Sequence, residues 1–195
     1  DINQTFLMPD GKKLVGIIGG GAMGTGIAQV AATAGHNVII FDSSREALDR
    51  SGRNLRAVLT KLVEKQKIAT AKKDEVLSRI VFAEKPEDLA GCELVIEAIV
   101  ENLQVKKEVF SRTEEIVSGS CILATNTSSL SVTSIAAACR HPSRVIGIHF
   151  FNPAPLMPLV EIVPGLATSE GLAEECRELI AGWSKTPVIA KDTPG

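Results

Sequence analysis

Residues 14–26, with the sequence LVGIIGGGAMGTG, decide the fold of this 195-residue chain. An apolar, largely β-branched run breaks into glycines and continues into IAQVAATAG, which predicts a buried strand that feeds a helix. Gly19, Gly21 and Gly24 fill a G-x-G-x-x-G frame. The first permits the tight turn, the second lets a pyrophosphate approach the backbone, and the third lets helix and strand pack closely. A phosphate would then lie at the helix N-terminus, where N–H groups and the helix dipole favour an anion.

An acidic residue follows the next strand. The apolar segment over residues 37–41 ends on Asp42, which is 18 residues beyond Gly24. A carboxylate at this place accepts hydrogen bonds from an adenosine ribose, so the sequence predicts a dinucleotide-binding unit rather than an ordinary βαβ turn. Asp42 also favours NAD over NADP, because a carboxylate repels a 2′-phosphate. Arg45 alone argues for NADP, and we interpret it as a solvent-exposed residue of the following helix.

Composition excludes several classes of protein. A hydrophobic content of 45% supports a full core, and a net charge of -2 argues against a general nucleic-acid or membrane surface. No apolar run approaches the roughly 18 residues of a membrane helix, and no signal-peptide core is visible. The scattered cysteines predict reduced, mostly buried thiols in a cytoplasmic protein, without a disulfide framework or a metal site; they are Cys92, Cys121, Cys139 and Cys176.

Strands and helices alternate from residue 14 onward, which predicts an α/β fold with a doubly wound, mostly parallel sheet of the Rossmann type. We expect residues 1–13 to be an N-terminal tail, residues 14–190 the Rossmann domain and residues 191–195 the start of a linker. Helical spacing over residues 45–78 predicts a helical hairpin inserted after the second strand. Later strands are expected at residues 79–83, 93–98, 121–124, 144–151, 159–163 and 187–190, and a last helix at residues 170–184.

Two polar groups follow predicted strands, where the carboxyl ends of a parallel sheet bind ligands. Glu97, Glu101 and Lys106 cluster at the carboxyl end of the fourth strand. The alternative for Glu101 and Lys106 is a surface ion pair that contributes under about 1 kcal/mol. The run TNTSS at residues 125–129 follows the fifth strand. Capping of the next helix accounts for one of its five residues, and the others are candidates to bind a nicotinamide, a ribose or a substrate hydroxyl.

His149 lies near the end of the sixth strand, and Glu161 lies on the strand that follows a proline-rich loop. A lone histidine on an apolar strand is commonly a core residue. Here, however, the loop would bring the carboxylate beside the imidazole, with Asn152 nearby. A histidine held in this way has a fixed tautomer and a second nitrogen that accepts a proton. We therefore predict a general base at His149.

The helical hairpin carries a run of basic residues, and the sequence does not decide the role of this run. It is either a solvated helix face or a docking surface for a polyanionic ligand, and its residues are Lys61, Lys65, Lys67, Lys72 and Lys73.

Four motifs in order, GGGAMGTGIA, VIEAIVENLQVKKEVF, NTSSL and HFFNPAPLMPLVEIV, closely resemble the NAD-binding domain of the 3-hydroxyacyl-CoA dehydrogenase family. The likeness runs from about residue 14 to 195. It implies oxidation of a 3-hydroxyacyl-CoA to the 3-ketoacyl-CoA with NAD, as in fatty-acid β-oxidation. It also implies that His149 is the general base, that Glu161 orients it, and that Ser128 hydrogen-bonds the substrate oxygen.

The same resemblance implies a cofactor site and a site for the acyl-CoA substrate. Lys65 matches a position that meets the CoA phosphates, which favours the docking-surface interpretation of the basic run. The residues expected around NAD are Gly19, Gly21, Ala22, Met23, Gly24, Asp42, Glu101, Lys106, Asn126 and Asn152. No nucleic-acid or membrane partner is expected.

In the family, a helical second domain follows KDTPG, supplies a further active-site asparagine and forms the usual dimer interface. We therefore expect these 195 residues to bind NAD, to turn over poorly by themselves and to form a homodimer only with that domain. Two alternatives remain. A dehydrogenase of small 3-hydroxy acids would not need the charged hairpin, and a non-catalytic NAD-binding protein of the same fold would not need His149 with Glu161.

Overall fold

The computed structural model describes residues 11–193, in which eight strands alternate with six α-helices. The elements are β1 (Leu14–Ile18), α1 (Ala22–Thr33), β2 (Asn37–Phe41), α2 (Arg45–Glu64), α3 (Thr70–Ser78), β3 (Ile80–Ala83), β4 (Leu94–Glu97), α4 (Leu103–Ile116), β5 (Ile122–Thr125), α5 (Val132–Ala136), β6 (Val145–Phe150), β7 (Leu159–Pro164), α6 (Leu172–Ala181) and β8 (Thr186–Ile189).

The strands form one sheet in the order β3-β2-β1-β4-β5-β6-β7-β8. Strands β1 to β6 are parallel, whereas β7 pairs antiparallel with β6 and β8 runs parallel to β7. The chain winds outward from β1 in one direction and then, from β4, in the other. The predicted Rossmann-type sheet is therefore confirmed, and its switch point lies between β1 and β4, where such sheets open a crevice for ligands.

Both faces of the sheet are covered by helices. Along β1, Val15 and Ile17 face one apolar cluster, which includes residues of α1, α2 and α6. Leu14 and Ile18 face a second cluster, which includes Phe110 of α4 and residues of α5. Because successive side chains of a strand point to opposite faces, a strand that is apolar throughout must be covered on both sides.

The hairpin predicted after the second strand is present as α2 and α3. Ser44 caps α2 by accepting a hydrogen bond from the Ala47 N–H. Leu55 and Leu59 bury the inner face of α2, and Lys73 of α3 reaches the hydroxyl of Thr60. The turn between the helices is tight, with Gln66 at a positive φ of 56°.

Element ends differ from the predictions by at most three residues, and β2 has the predicted bounds. The largest difference is in α6, which spans Leu172–Ala181 rather than residues 170–184. Gly171 precedes this helix with a φ of 85°, a left-handed conformation that cannot belong to the helix and therefore delays its start. Ser184, which was predicted to be its last residue, has a positive φ of 60° and lies beyond its end.

The described ends of the chain contact the domain. Lys12 donates to the Ala34 carbonyl at the end of α1, and the Lys13 N–H donates to the ring of His36. At the other end, Asp192 accepts hydrogen bonds from the backbone of Val132 and Thr133. Residues 1–10 of the expected tail and residues 194–195 of the expected linker lie outside the described residues.

None of the helices within residues 11–193 is both long enough and apolar enough to cross a membrane. All four cysteines are buried and free, as the sequence predicted. Burial raises the pKa of every one of these thiols, to about 11 for Cys139 and to about 12 for Cys121 and Cys176, so they remain neutral.

His36 predicts a pH dependence of stability. Its ring is 3% exposed, packs 5.4 Å from the ring centre of Trp183 and accepts the Lys13 N–H through Nδ1. Desolvation, followed by the charge of Lys12, lowers the pKa of His36 below its ordinary value of 6.5. The unfolded chain therefore binds the proton more readily than the folded chain, so the free energy of unfolding falls as pH drops below about 6.5.

We expect His36→Gln to show a smaller loss of stability between pH 7.5 and pH 5.0 than the unmodified chain, measured by urea unfolding at both values. His141→Gln is the matched control, because His141 is exposed. An unchanged pH dependence in the His36 variant would mean that other groups are responsible.

Candidate active site at the carboxyl edge of the sheet

The glycine turn after β1 forms a tight cradle with one open side. Gly19 has a φ of 118°, and a Cβ atom built on it would lie 2.5 Å from the Ala98 carbonyl oxygen. A Cβ atom on Gly24 would lie 1.9 Å from the Gly19 carbonyl oxygen. At Gly21, the N-cap of α1, a Cβ atom would meet nothing within 4 Å. The outer two glycines are therefore required by packing, while the middle one leaves room for a ligand at the helix N-terminus.

Asp42 is fixed beside this turn. Its Oδ2 accepts the Gly20 N–H at 2.8 Å and its Oδ1 accepts the Ser44 N–H at 2.8 Å. Arg45, which argued for NADP, has a side chain that is 70% exposed and pairs with Glu84 and Asp49. The interpretation of Arg45 as an exposed helix residue is therefore confirmed. The geometry beside the turn presents a carboxylate and not a cation.

The Lys106 cluster, consisting of Glu97, Glu101 and Lys106, lies where β4 ends. The Lys106 Nζ atom donates to Glu97 and lies 3.0 Å from Glu101. The side chains of Lys106 and Glu97 are each 1% exposed, whereas that of Glu101 is 41% exposed. The alternative of a surface ion pair between Glu101 and Lys106 is therefore wrong, because the ammonium group lies in the protein interior.

The small polar residues after β5 mainly hold this cluster in place. Thr125 donates its hydroxyl to Glu97, and Thr127 and Ser129 donate theirs to Glu101. Asn126 Oδ1 accepts a hydrogen bond from the Phe150 N–H, which connects the β5 loop to β6. Ser128 is exposed. The expectation that one of these five residues caps the next helix is wrong. The cap of α5 is Ser131, whose hydroxyl accepts the Ser134 N–H.

His149 and Glu161 face each other across the antiparallel pair β6 and β7, where they are register partners. The distance from His149 Nδ1 to Glu161 Oε1 is 2.9 Å, and the two side chains are 14% and 33% exposed. The Phe151 ring packs 4.4 Å from the imidazole, centre to centre. In a neutral imidazole that donates its Nδ1 proton to the carboxylate, Nε2 is a proton acceptor. The predicted contact is confirmed.

Two supporting residues were not predicted from the sequence. Lys185 donates its ammonium group to the carbonyls of Ala154 and Met157, which fixes the proline-rich loop between β6 and β7. A single lysine before a strand carries no signal of this contact. Phe151 was visible only as part of an apolar run. Asn152, which was predicted near the cofactor, is exposed at the start of that loop.

Lys65 lies on the helical hairpin, away from the residues at the carboxyl edge of the sheet. It is the exposed C-cap residue of α2, a helix of 20 residues. At a rise of 1.5 Å per residue such a helix is about 30 Å long, so Lys65 is at the far end from Asp42. The structure therefore joins the glycine turn, Asp42, the Lys106 cluster and the histidine at one sheet edge, but gives Lys65 no contact with them.

The donor set suits a dinucleotide. Glycines whose Cβ atoms would fill the turn, an open helix N-terminus and a fixed carboxylate after β2 match a pyrophosphate and a ribose. The fold and the histidine–carboxylate pair thus define the chain as a dinucleotide-binding domain of the dehydrogenase class. The family described as "3-hydroxyacyl-CoA dehydrogenase, NAD binding domain" matches residues 14–193, and the chain belongs to it. NAD is the cofactor of this domain.

Named relatives agree with this assignment. The chain is 45% identical over 183 residues to the 3-hydroxyadipyl-CoA dehydrogenase of Escherichia coli K12, covering 94% of this chain and 38% of that protein. It is 41% identical over 189 residues to the human mitochondrial hydroxyacyl-coenzyme A dehydrogenase, covering 94% of this chain and 60% of the relative. The crystal structure of an Escherichia coli 3-hydroxybutyryl-CoA dehydrogenase superposes with a TM-score of 0.92 at 44% identity, covering 94% of this chain and 39% of that one.

Proposed function

We propose that the protein containing this domain oxidises a 3-hydroxyacyl-CoA to the 3-ketoacyl-CoA with NAD. The observation that carries the proposal is the His149–Glu161 pair, which lies at the same sheet edge as the glycine turn. The chain spans between 38% and 64% of the length of its curated relatives, so this activity is proposed for the whole protein. The Escherichia coli and human relatives described above are named as dehydrogenases of CoA esters, which supports the substrate class.

In this proposal NAD, when bound, is the hydride acceptor. His149 accepts the proton of the substrate 3-hydroxyl at Nε2 as the hydride leaves C3, so that the alcohol becomes a ketone. Glu161 holds the Nδ1 proton and stabilises the imidazolium that forms. A positioned general base contributes roughly a hundred- to ten-thousand-fold in rate. The imidazole needs no movement between the two states, because its ring is held by Glu161 and packed on Phe151.

Further residues, near the site and on the hairpin, are proposed to bind substrate and cofactor. Ser128 is exposed in the β5 loop, and we assign its hydroxyl to the substrate oxygen. Asn126 is held through Oδ1 by the Phe150 N–H, which supports a fixed role for its amide beside the cofactor, with Asn152 on the neighbouring loop. Lys65 is assigned to the CoA phosphates, supported by its exposure on the basic hairpin. Ala22 and Met23 open α1 beside the proposed pyrophosphate.

Location and assembly are also proposals. Four buried, free cysteines support a reducing compartment such as the cytoplasm. We propose that a homodimer requires the helical second domain that the family resemblance implies.

The cofactor assignment predicts that the 195-residue chain binds NADH in preference to NADPH in a calorimetric titration. We expect NADH to bind at least about tenfold more tightly, a difference of about 1.4 kcal/mol, because Asp42 repels a 2′-phosphate. Asp42→Asn should reduce this preference, and Asp49→Asn, an exposed acid on α2, should not. Equal binding of both nucleotides to the unmodified chain would refute the assignment.

The substrate class is tested separately with the full-length protein. Oxidation of 3-hydroxybutyryl-CoA with little oxidation of free 3-hydroxybutyrate would support the proposal. The reverse preference would favour a dehydrogenase of small 3-hydroxy acids, and no oxidation of either would favour a non-catalytic protein.

A further inference from the structure

Glu97 is a buried carboxylate that the proposed reaction does not use. Its Oε1 accepts the Thr125 hydroxyl, and its Oε2 accepts both the Ile99 N–H and the Lys106 ammonium. The side chain of Glu97 is 1% exposed, so it is closed off from solvent. Lys106 is equally buried, so Glu101 is the one member of the Lys106 cluster that presents surface at the carboxyl edge.

The charges of the Lys106 cluster do not cancel. One lysine lies against two glutamates, so the formal charges of the three side chains sum to one net negative charge. Desolvation acts to raise the pKa of Glu101, but the hydrogen bonds from Lys106, Thr127 and Ser129 outweigh it, so its pKa is below its ordinary value. Glu101 is therefore ionised at neutral pH. Since Glu97 already matches the charge of Lys106 inside the protein, the uncompensated charge is at Glu101.

This charge lies at the end of β4, on one side of the switch point between β1 and β4. Glu97 and Lys106 are buried, so water and counterions do not surround them. The electrostatic interaction of these two groups with Glu101 is therefore less screened than it would be on an open surface. A nicotinamide ring is positively charged when oxidised and neutral when reduced. In the proposed function the nicotinamide lies between the glycine turn after β1 and His149 on β6, and β4 lies between those two strands in the sheet. A fixed negative charge at the end of β4 therefore stabilises the oxidised form more than the reduced form.

We propose that Glu97 is a positioning residue that sets the charge of this edge. By pairing with Lys106, it leaves Glu101 uncompensated, and Glu101 then shifts the relative affinity of the domain toward NAD⁺ and away from NADH. This inference rests on the proposed NAD site. It assigns Glu97 a role without contact to the cofactor, through Lys106 and Glu101.

The test measures the ratio of the dissociation constants of NADH and NAD⁺ by calorimetry at pH 8. Glu97→Gln removes the inner charge, so that Lys106 neutralises Glu101, and we expect the ratio to fall about five- to thirty-fold. Glu101→Gln gives the same net charge by a different route and should shift the ratio in the same direction. The double variant Glu97→Gln with Lys106→Met again leaves one net negative charge, so its ratio should return most of the way to that of the unmodified chain, even if the loss of Lys106 weakens the binding of both nucleotides.

The double variant separates charge from structure. If Glu97 only held the loop in place, the double variant would behave like Glu97→Gln, and the proposal would be overturned. An unchanged ratio in Glu97→Gln would also overturn it. Should that single variant fail to fold, Glu101→Gln and the double variant keep the test decisive, because the first should lower the ratio and the second should not; an unchanged ratio in Glu101→Gln would overturn the proposal. Absence of nucleotide binding by the unmodified chain would instead overturn the proposed function, and this inference with it.

Discussion

Replacing His149 by alanine is expected to lower kcat/KM for a 3-hydroxyacyl-CoA by about a hundred- to ten-thousand-fold in the full-length protein. The ring is held at Nδ1 by Glu161, and its removal leaves no residue in this contact to accept the hydroxyl proton. NADH affinity should change little, since His149 is on β6 and the glycine turn follows β1. Steady-state kinetics and calorimetry on the same preparation give the two quantities.

His141→Ala is the matched control, because it removes an exposed imidazole from the segment that precedes β6. It should retain the activity of the unmodified protein. Glu161→Gln should fall between the two, since an amide oxygen still accepts the Nδ1 proton but carries no charge to stabilise an imidazolium. Full activity of the His149 variant would remove the proposed mechanism while leaving the fold and the cofactor assignment intact.

Gly24→Ala and Gly21→Ala are expected to fail in different ways. An alanine Cβ at position 24 would lie 1.9 Å from the Gly19 carbonyl oxygen, which belongs to the backbone and cannot move aside. We expect a loss of more than about 3 kcal/mol in the free energy of unfolding, together with loss of NADH binding. At position 21 nothing lies within 4 Å of the added methyl group. Its stability should stay within about 0.5 kcal/mol, while NADH binds at least about tenfold more weakly.

Urea unfolding and calorimetry distinguish these outcomes. The first variant tests packing between the turn and α1, and the second tests whether the open side of the cradle is where the pyrophosphate approaches. Undiminished NADH affinity in Gly21→Ala would place the cofactor elsewhere.

Patterns of short range predicted most of the fold. Apolar runs that break into glycine or a polar residue located every strand to within a few positions. In a central strand such as β1 the run is uninterrupted, because both of its faces are buried. The glycine frame and Asp42 were also predicted, because each meets a local requirement of the turn or of the ligand beside it. His149 and Glu161 needed only the further assumption that two strands joined by a rigid loop are neighbours.

Features that depend on distant packing were not predicted. The sequence gives no indication that Lys106 is buried, because its two carboxylate partners and the threonines that hold them come from separate segments. The cap of α5 is Ser131 and not a residue of the run at 125–129. Three hydroxyls of that run instead donate hydrogen bonds to Glu97 and Glu101, which a local pattern does not reveal. The contact of Lys185 with the proline-rich loop arises in the same way.

The pairing of β6 with β7 has a consequence for how distant relatives are recognised. His149 and Glu161 meet because they are register partners, and the length of the loop between the strands does not enter into that relation. A search that demands a fixed interval between the two residues would overlook homologues with longer or shorter loops. By contrast, a shift of one residue within either strand would turn the side chain to the opposite face and separate the pair. Alignments of this region should therefore be anchored on the strands, with gaps allowed only between them.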